Sequence, residues 1–341
     1  MQVCFMIMIV KDLTKFQIIM FLGGIIMAHK VTIIGAGSVG ATIAYSMVTR
    51  GIASEIVLID INKAKALGEA MDIDQGTPYC KPVNIYAGEY EDAKDSDIVI
   101  ITSGVARKPG QSRLELAQTN VEILKGITAN ITKYAPEAIY IIVSNPVDVL
   151  TYVFAKISGI PENQIIGSGT ILDTARLRAK IAQQYSINQQ NVHALVLGEH
   201  GDTSFVPWSV ASISNVPIEN YWESVVYKET HSASFDYEEI TDFVRKSGGM
   251  VIEGKGATYY AIAASVCHIC SCIFSGMDTA LPVSTMIHDE YGIDDVCLST
   301  LAIVGKNGVS GKIQLPLTDE EVAKLQASAA KLKEVISSID I

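Results

Sequence analysis

The sequence predicts an α/β protein, a doubly wound parallel sheet followed by a mixed α+β second domain. Three observations predict it. Short β-branched runs at 31–34, 56–59, 84–87, 98–102 and 139–143 alternate with longer stretches of helical spacing at 38–50, 63–75 and 112–134. Four of the five runs are too continuously apolar for a sheet with one face in water, as expected of parallel strands covered by helices on both sides. Beyond about residue 165 the strict alternation stops: a helix is expected at 171–185, strands near 192–198, 280–287 and 296–304, and helices near 236–273 and 318–337. The expected division is therefore a sheet domain over 30–165 and a substrate-binding, catalytic α+β domain over 166–341.

Length and composition agree with two domains. The 341 residues are 49% apolar and 18% charged, enough to bury a large core without disulfides or structural metals. With 37 acidic against 26 basic side chains the net charge is −11, which argues against nucleic acid and anionic membrane as partners. An anionic substrate must then be captured locally, by a few arginines. Six cysteines, at 4, 80, 267, 270, 272 and 297, do not form a disulfide framework in a chain this long. Cys267, His268, Cys270 and Cys272 lie in an apolar run that reads as one buried helix, which cannot easily wrap a tetrahedral ion, so no metal is expected.

Residues 1–29 form an apolar leader of doubtful status. Its apolar pieces, 3–10 and 17–28, are separated by Lys11, Asp12 and Lys15, and neither reaches the roughly 20 uninterrupted residues of a membrane span. No small-residue cleavage site precedes Lys30, as a signal peptide would require. Met27-Ala28-His29-Lys30 looks like a natural start, so 1–26 reads as an added leader or a mis-assigned start, with membrane attachment through it as the rival reading. The expected location is the cytoplasm.

The first chemical signal is Gly35-Ala36-Gly37-Ser38-Val39-Gly40, between the strand ending at Ile34 and the helix beginning near Ser38. The first glycine permits a tight turn, the second lets the backbone approach a pyrophosphate, and the third allows close packing of helix on strand. Unpaired N–H groups at the helix start complete a phosphate cradle. Asp60 ends the second strand twenty residues past Gly40, where a carboxylate accepts hydrogen bonds from ribose hydroxyls and repels a 2′-phosphate. Together these imply a Rossmann-type domain that binds NAD rather than NADP.

Three further segments bear chemistry. Ser103 to Arg113 leaves the fourth strand with two glycines, a proline and two arginines, Arg107 and Arg113, the composition of a lid that closes over an anion. Asp173 and Arg176 are three apart on a helix and share a face, as a local ion pair or a working pair. In Gly198-Glu199-His200-Gly201-Asp202 a histidine flanked by glycine follows an apolar strand, exposed to a cleft and suited to proton transfer near neutrality. Asp173 is available to orient it.

In these segments, together with Ser144-Asn145-Pro146-Val147-Asp148 and Gly167 to Arg176, the sequence resembles the L-lactate and malate dehydrogenase family from Lys30 to the C-terminus. The resemblance implies hydride transfer between the nicotinamide and the substrate's 2-carbon, with His200 as proton donor and acceptor and Asp173 orienting it. It implies that Arg176 grips the substrate carboxylate in a bidentate fork, that Arg113 polarises the carbonyl, and that Asn145 bonds near substrate and nicotinamide. For the cofactor it implies Gly35, Gly37, Val39, Gly40, Asp60, Lys65, Tyr90, Gly104, Val105, Ser144 and Asn145.

Within the family the residues pull two ways. Arg107 stands where malate enzymes carry an arginine for the second carboxylate of their substrate, and a buried charge without its partner costs on the order of 3 to 5 kcal/mol. A lid arginine can keep its head in water, which lowers that cost. The strings ending at Asp173, Glu199 before the histidine, and Thr258, at the position that packs near the pyruvate methyl group, point to lactate. The expectation is L-lactate dehydrogenase, reducing pyruvate, with a malate or broader 2-hydroxy acid dehydrogenase as the alternative. The resemblance further implies a homotetramer and, through Arg178 and His193 across a subunit interface, a site for fructose 1,6-bisphosphate as activator. Arg178 lies about 200° around the helix from Arg176 and is expected to face away from the substrate.

Overall fold

Branched side chains crowd a helix but fill a pleated surface, and all five β-branched runs are strands. The computed structural model describes residues 28–105, 113–226 and 236–341, with two short strands ahead of them, β1 (Ile19–Phe21) and β2 (Gly24–Ile26), paired antiparallel. The first half then runs β3 (Lys30–Ile34), α1 (Ser38–Arg50), β4 (Glu55–Ile59), α2 (Lys63–Gln75), β5 (Asn84–Ala87), β6 (Ile98–Ile101), α3 (Arg113–Tyr134), β7 (Ile139–Ile142), α4 (Val147–Ile157) and β8 (Ile165–Gly167). The second half runs α5 (Ile171–Tyr185), β9 (Val192–His193), β10 (Ser212–Ile213), β11 (Val216–Pro217), α6 (Tyr221–Ser224), α7 (Tyr237–Lys255), α8 (Tyr260–Ser275), β12 (Thr279–His288), β13 (Asp294–Gly305), β14 (Gly308–Ile313) and α9 (Asp319–Ser337).

One nine-stranded sheet joins the halves in the order β14-β13-β12-β8-β7-β6-β3-β4-β5. Its six strands from β5 to β8 are parallel, and the last three are antiparallel. The order reverses between β3 and β6, and ligands of open α/β sheets bind beyond the carboxyl ends of the strands at such a crossover. The glycine loop leaves β3 there, and Thr102–Val105 leaves β6. The central strands are buried on both faces, which divides the core into one apolar cluster under α3, α4 and α9 and another under α1 and α8. Cys267 and Cys270 belong to the second, and Cys267 Sγ faces the Ile43 carbonyl at 3.8 Å, so this part of the cysteine run packs against α1.

Three elements escape the sequence pattern. Residues 147–154 of α4 are all buried, and its Val, Thr, Tyr and Phe side chains are the types that favour strands, so residue type hides the helix. β8 is three residues long and straddles the expected boundary at 165, and β14 begins on a glycine and holds another. Conversely, the strand expected over 192–198 ends after two residues. Side chains of α5 and of the residue just before it take the backbone groups that a neighbouring strand would have used: Thr170 Oγ1 donates to the Val196 carbonyl (2.5 Å), Thr174 Oγ1 accepts from the Val196 N–H (2.9 Å), and Arg178 Nε donates to the Ala194 carbonyl (3.0 Å). The helical stretch expected over 236–273 breaks at Gly256, whose φ of +84° ends α7.

The glycines divide by what a side chain would meet. A Cβ on Gly40 would lie 1.9 Å from the Gly35 carbonyl oxygen, so α1 could not approach the β3 turn. Mid-helix Gly248 and Gly249 have no such need: a Cβ on Gly249 would meet nothing within 4 Å, and on Gly248 nothing nearer than Arg176 at 3.5 Å. Each still costs α7 about 1 kcal/mol relative to alanine. Gly40→Ala is therefore expected to destabilise the protein by about 1 to 3 kcal/mol, the range for overpacking, whereas Gly248→Ala leaves stability equal or higher; urea unfolding midpoints of the two variants check this contrast.

Candidate active site

A cavity of about 420 Å³ opens at the carboxyl ends of β6, β7 and β8. His200 reaches it from the turn after the strapped segment 194–197, and α5 presents Asp173 and Arg176 from its first turns. Asp173 Oδ2 lies 2.5 Å from His200 Nδ1, and Asp173 Oδ1 accepts from Arg176 at 2.9 Å. The Asp173 side chain is 8% exposed, against 26% for His200 and 15% for Arg176. Burial works against its charge, but His200 and Arg176 outweigh burial and hold the carboxyl below its ordinary value. Burial likewise pulls the imidazole down, and the Asp173 charge and hydrogen bond more than reverse this, so His200 titrates above its ordinary value. With Nδ1 on the carboxylate, Nε2 is the ring nitrogen left for a substrate.

The cavity lining also includes Val39, Gly104, Val105, Ser144, Asn145 and Thr258. Thr258 reaches it because α7 stops at Gly256 and the chain turns before α8. Ser144 Oγ donates to the Ser103 carbonyl (2.6 Å), which ties the β7 turn to the β6 turn. Buried Asn120 of α3 holds both: its Nδ2 donates to the Asn145 carbonyl (2.7 Å) and its Oδ1 accepts from the Val105 N–H (2.8 Å). Gly35, Gly37, Gly40 and Asp60 gather at the ends of β3 and β4, adjoining this lining but not part of it. Lys65, on α2, and Tyr90, packed on the core after β5, lie outside the lining. Arg107 lies outside the described residues, and of Arg113 only the backbone, at the start of α3, is described. Arg178 points to the Ala194 carbonyl, away from the cavity, beside exposed His193.

Comparison with known proteins matches this architecture along the chain. Residues 29–167 match the lactate/malate dehydrogenase NAD binding domain, and 170–340 match the lactate/malate dehydrogenase alpha/beta C-terminal domain. The chain belongs to the lactate/malate dehydrogenase family. Similar family members include the L-lactate dehydrogenase of Acetivibrio thermocellus, 45% identical over 92% of this chain and 98% of that protein, and that of Thermoanaerobacter pseudethanolicus, 46% identical over 92% and 100%. The solved minor L-lactate dehydrogenase of Enterococcus mundtii superposes with a TM-score of 0.87 at 38% identity, covering 92% of this chain and 99% of that one.

As a member of the family this protein is an NAD-dependent oxidoreductase, and its residues fit that cofactor. The second glycine of the fingerprint, Gly37, has nothing within 4 Å of where a Cβ would stand, leaving room for a pyrophosphate at the α1 N-terminus. Asp60 accepts the Ala36 N–H on Oδ2 (2.7 Å) and the Asn62 N–H on Oδ1 (2.8 Å). Each carboxylate oxygen keeps a further lone pair for a ribose hydroxyl.

Sequence reasoning passed over Asp148. It is 2% exposed on α4, and its Oδ2 accepts the backbone N–H of His200 at 2.7 Å, which fixes the loop that carries the histidine. Burial pushes its carboxyl up to about 6, against the lowering influence of the Ser284 hydroxyl and the His200 amide. An acid with a raised folded value contributes stability that is complete below its unfolded value, near 4, and lost as the pH rises to 6; the loss is about 3 kcal/mol. Asparagine at 148 retains a carbonyl acceptor for the His200 amide without the charge. Asp148→Asn is thus expected to be more stable than wild type above pH 6, with the gap closing towards pH 4, as measured by denaturant midpoints across that range.

Proposed function

We propose that the protein is an L-lactate dehydrogenase, reversibly reducing pyruvate to L-lactate with NADH. The observation that carries the chemistry is the buried Asp173 carboxylate shared between His200 and Arg176 at the sheet's carboxyl edge. The choice of lactate rests on the whole-chain likeness to proteins named L-lactate dehydrogenase, supported by Thr258 in the cavity wall. Held by the glycine loop and Asp60, NADH would supply the hydride for the 2-carbon of pyruvate. His200 gives the Nε2 proton to the carbonyl oxygen, and Asp173 stabilises the charged imidazole beforehand and holds its tautomer. Arg176 takes the substrate carboxylate, Asn145 orients substrate and nicotinamide, and Arg113 polarises the carbonyl as the family resemblance implies. In this division 30–165 binds the cofactor and 166–341 supplies the catalytic pair.

Arg107 favours oxaloacetate as a second substrate. Comparing pyruvate and oxaloacetate by the loss of NADH absorbance tests the reading, and a strong preference for oxaloacetate would overturn it in favour of malate. The regulatory part of the reading is a cytoplasmic homotetramer activated by fructose 1,6-bisphosphate. Its support is the neighbourhood of Arg178 and His193 on a surface turned from the cavity, where two copies of each would face two phosphates. The activator is expected to lower the apparent KM for pyruvate in wild type and not in Arg178→Gln; an unchanged wild-type KM removes the site.

His200→Asn is expected to cut turnover by about 10² to 10⁴, the usual worth of a positioned acid or base, while NADH binding measured by fluorescence stays near wild type. Because Asp173 holds the His200 value up, the protonated form needed for pyruvate reduction is lost only on the alkaline side. In Asp173→Asn this alkaline limb of kcat/KM should move to lower pH, and an unmoved limb would remove Asp173 from the proton step.

A further inference from the structure

We propose that Gly248 and Gly249 widen the substrate cavity beyond the needs of a methyl group, so that the enzyme reduces 2-keto acids with longer aliphatic side chains. The proposal rests on the reading of the chain as a 2-keto acid reductase and specifies its substrate class. Glycine is the least favoured residue in a helix interior after proline, so two in succession in the middle of α7 require a reason. The fold supplies none. At Gly35, Gly40, Gly167, Gly169 and Gly198 a Cβ would come within 3 Å of other protein atoms, whereas at Gly248 and Gly249 it would find ordinary contact or open space. Gly68, Gly126 and Gly254 are helical glycines with equally open surroundings, but they lie outside the cavity wall, and Gly248 and Gly249 are in it.

Their neighbours indicate what the space holds. The nearest atoms to a Cβ on Gly248 belong to the Arg176 guanidinium, at 3.5 to 3.9 Å, so the gap lies beside the group that takes the substrate carboxylate. One turn on, Ile252 falls on the same helix face and is half exposed into the cavity, and Thr258 and Ile262 continue the lining. Arg245, one turn back, is engaged by the Ser204 carbonyl through Nε (3.0 Å) and its other nitrogen, and stands 3.7 Å from Asp242. A side chain extending from a carboxylate held at Arg176 therefore runs along backbone and the Ile252 side chain, a surface suited to an aliphatic tail.

The test measures kcat/KM for pyruvate, 2-ketobutyrate, 2-ketopentanoate, 4-methyl-2-ketopentanoate, oxaloacetate and 2-ketoglutarate, for wild type, Gly248→Ala and Gly249→Leu. A single surplus methylene in a closed pocket costs about 10- to 200-fold; in wild type the five- and six-carbon aliphatic acids are expected within tenfold of pyruvate. In each variant the ratio of 4-methyl-2-ketopentanoate to pyruvate should fall at least tenfold, with thermal midpoints confirming that α7 is intact. If pyruvate is reduced but the longer aliphatic acids are more than tenfold poorer in wild type, or if the ratio is unmoved in Gly248→Ala, the proposal falls and the lactate reading stands. A preference for the dicarboxylates overturns the aliphatic assignment. No reduction of any 2-keto acid overturns the activity reading and this proposal with it.

Discussion

The candidate active site depends on one buried negative charge. A carboxylate as enclosed as Asp173 is costly unless countercharges and hydrogen bonds meet it, and removing one partner of such an arrangement commonly costs several kcal/mol. Here the two oxygens are divided between an imidazole and a guanidinium. That requirement fixes α5 against the segment leading to His200. The two are held by Thr170, Thr174 and Arg178, spaced four apart on one face of the helix and all bonded to backbone at 194 and 196. Helix side chains thereby position the segment as far as Val196, and single antiparallel bridges, Leu197 with Phe205 and Gly198 with Ser299, hold its end just before the histidine.

Asp148 answers burial differently. It accepts the backbone amide of His200 and makes no ion pair among the described residues, so the Ser284 hydroxyl, that amide and the His200 charge offset desolvation only in part and its carboxyl rises to about 6. Asp173, with two cationic partners, moves the other way. The two carboxylates thus hold the same histidine by different means, one through the ring and the other through the main chain, and both raise the ring's value, Asp173 more than Asp148. Asn120 plays the corresponding part for the cofactor side of the cavity, joining the β6 and β7 turns through one side-chain amide.

Much of this was legible in the chain. The five β-branched runs, the fingerprint glycines and the acid at the end of the second strand depend on local rules: strand propensity, turn geometry and helix-terminus chemistry act over a few residues. α1, α2 and α5 begin and end where their patterns do. α4 was not legible, because its buried Val, Thr, Tyr and Phe side chains are the types that favour strands. The break between α7 and α8 hinged on one glycine in the left-handed region, and through it Thr258 reaches the cavity.

By itself the sequence determined the fold class and the glycine fingerprint, and singled out His200, Asp173 and Arg176 as candidates, since each is marked by its neighbours in the chain. Tertiary structure decided which groups meet across long separations. The His200 amide finds Asp148 fifty-two residues away, Asn120 joins two turns from a third element, and Gly248 comes to lie beside Arg176. These contacts follow from where the nine-stranded sheet and its helices bring separate segments together, and periodicity and spacing along one segment contain no term for that distance.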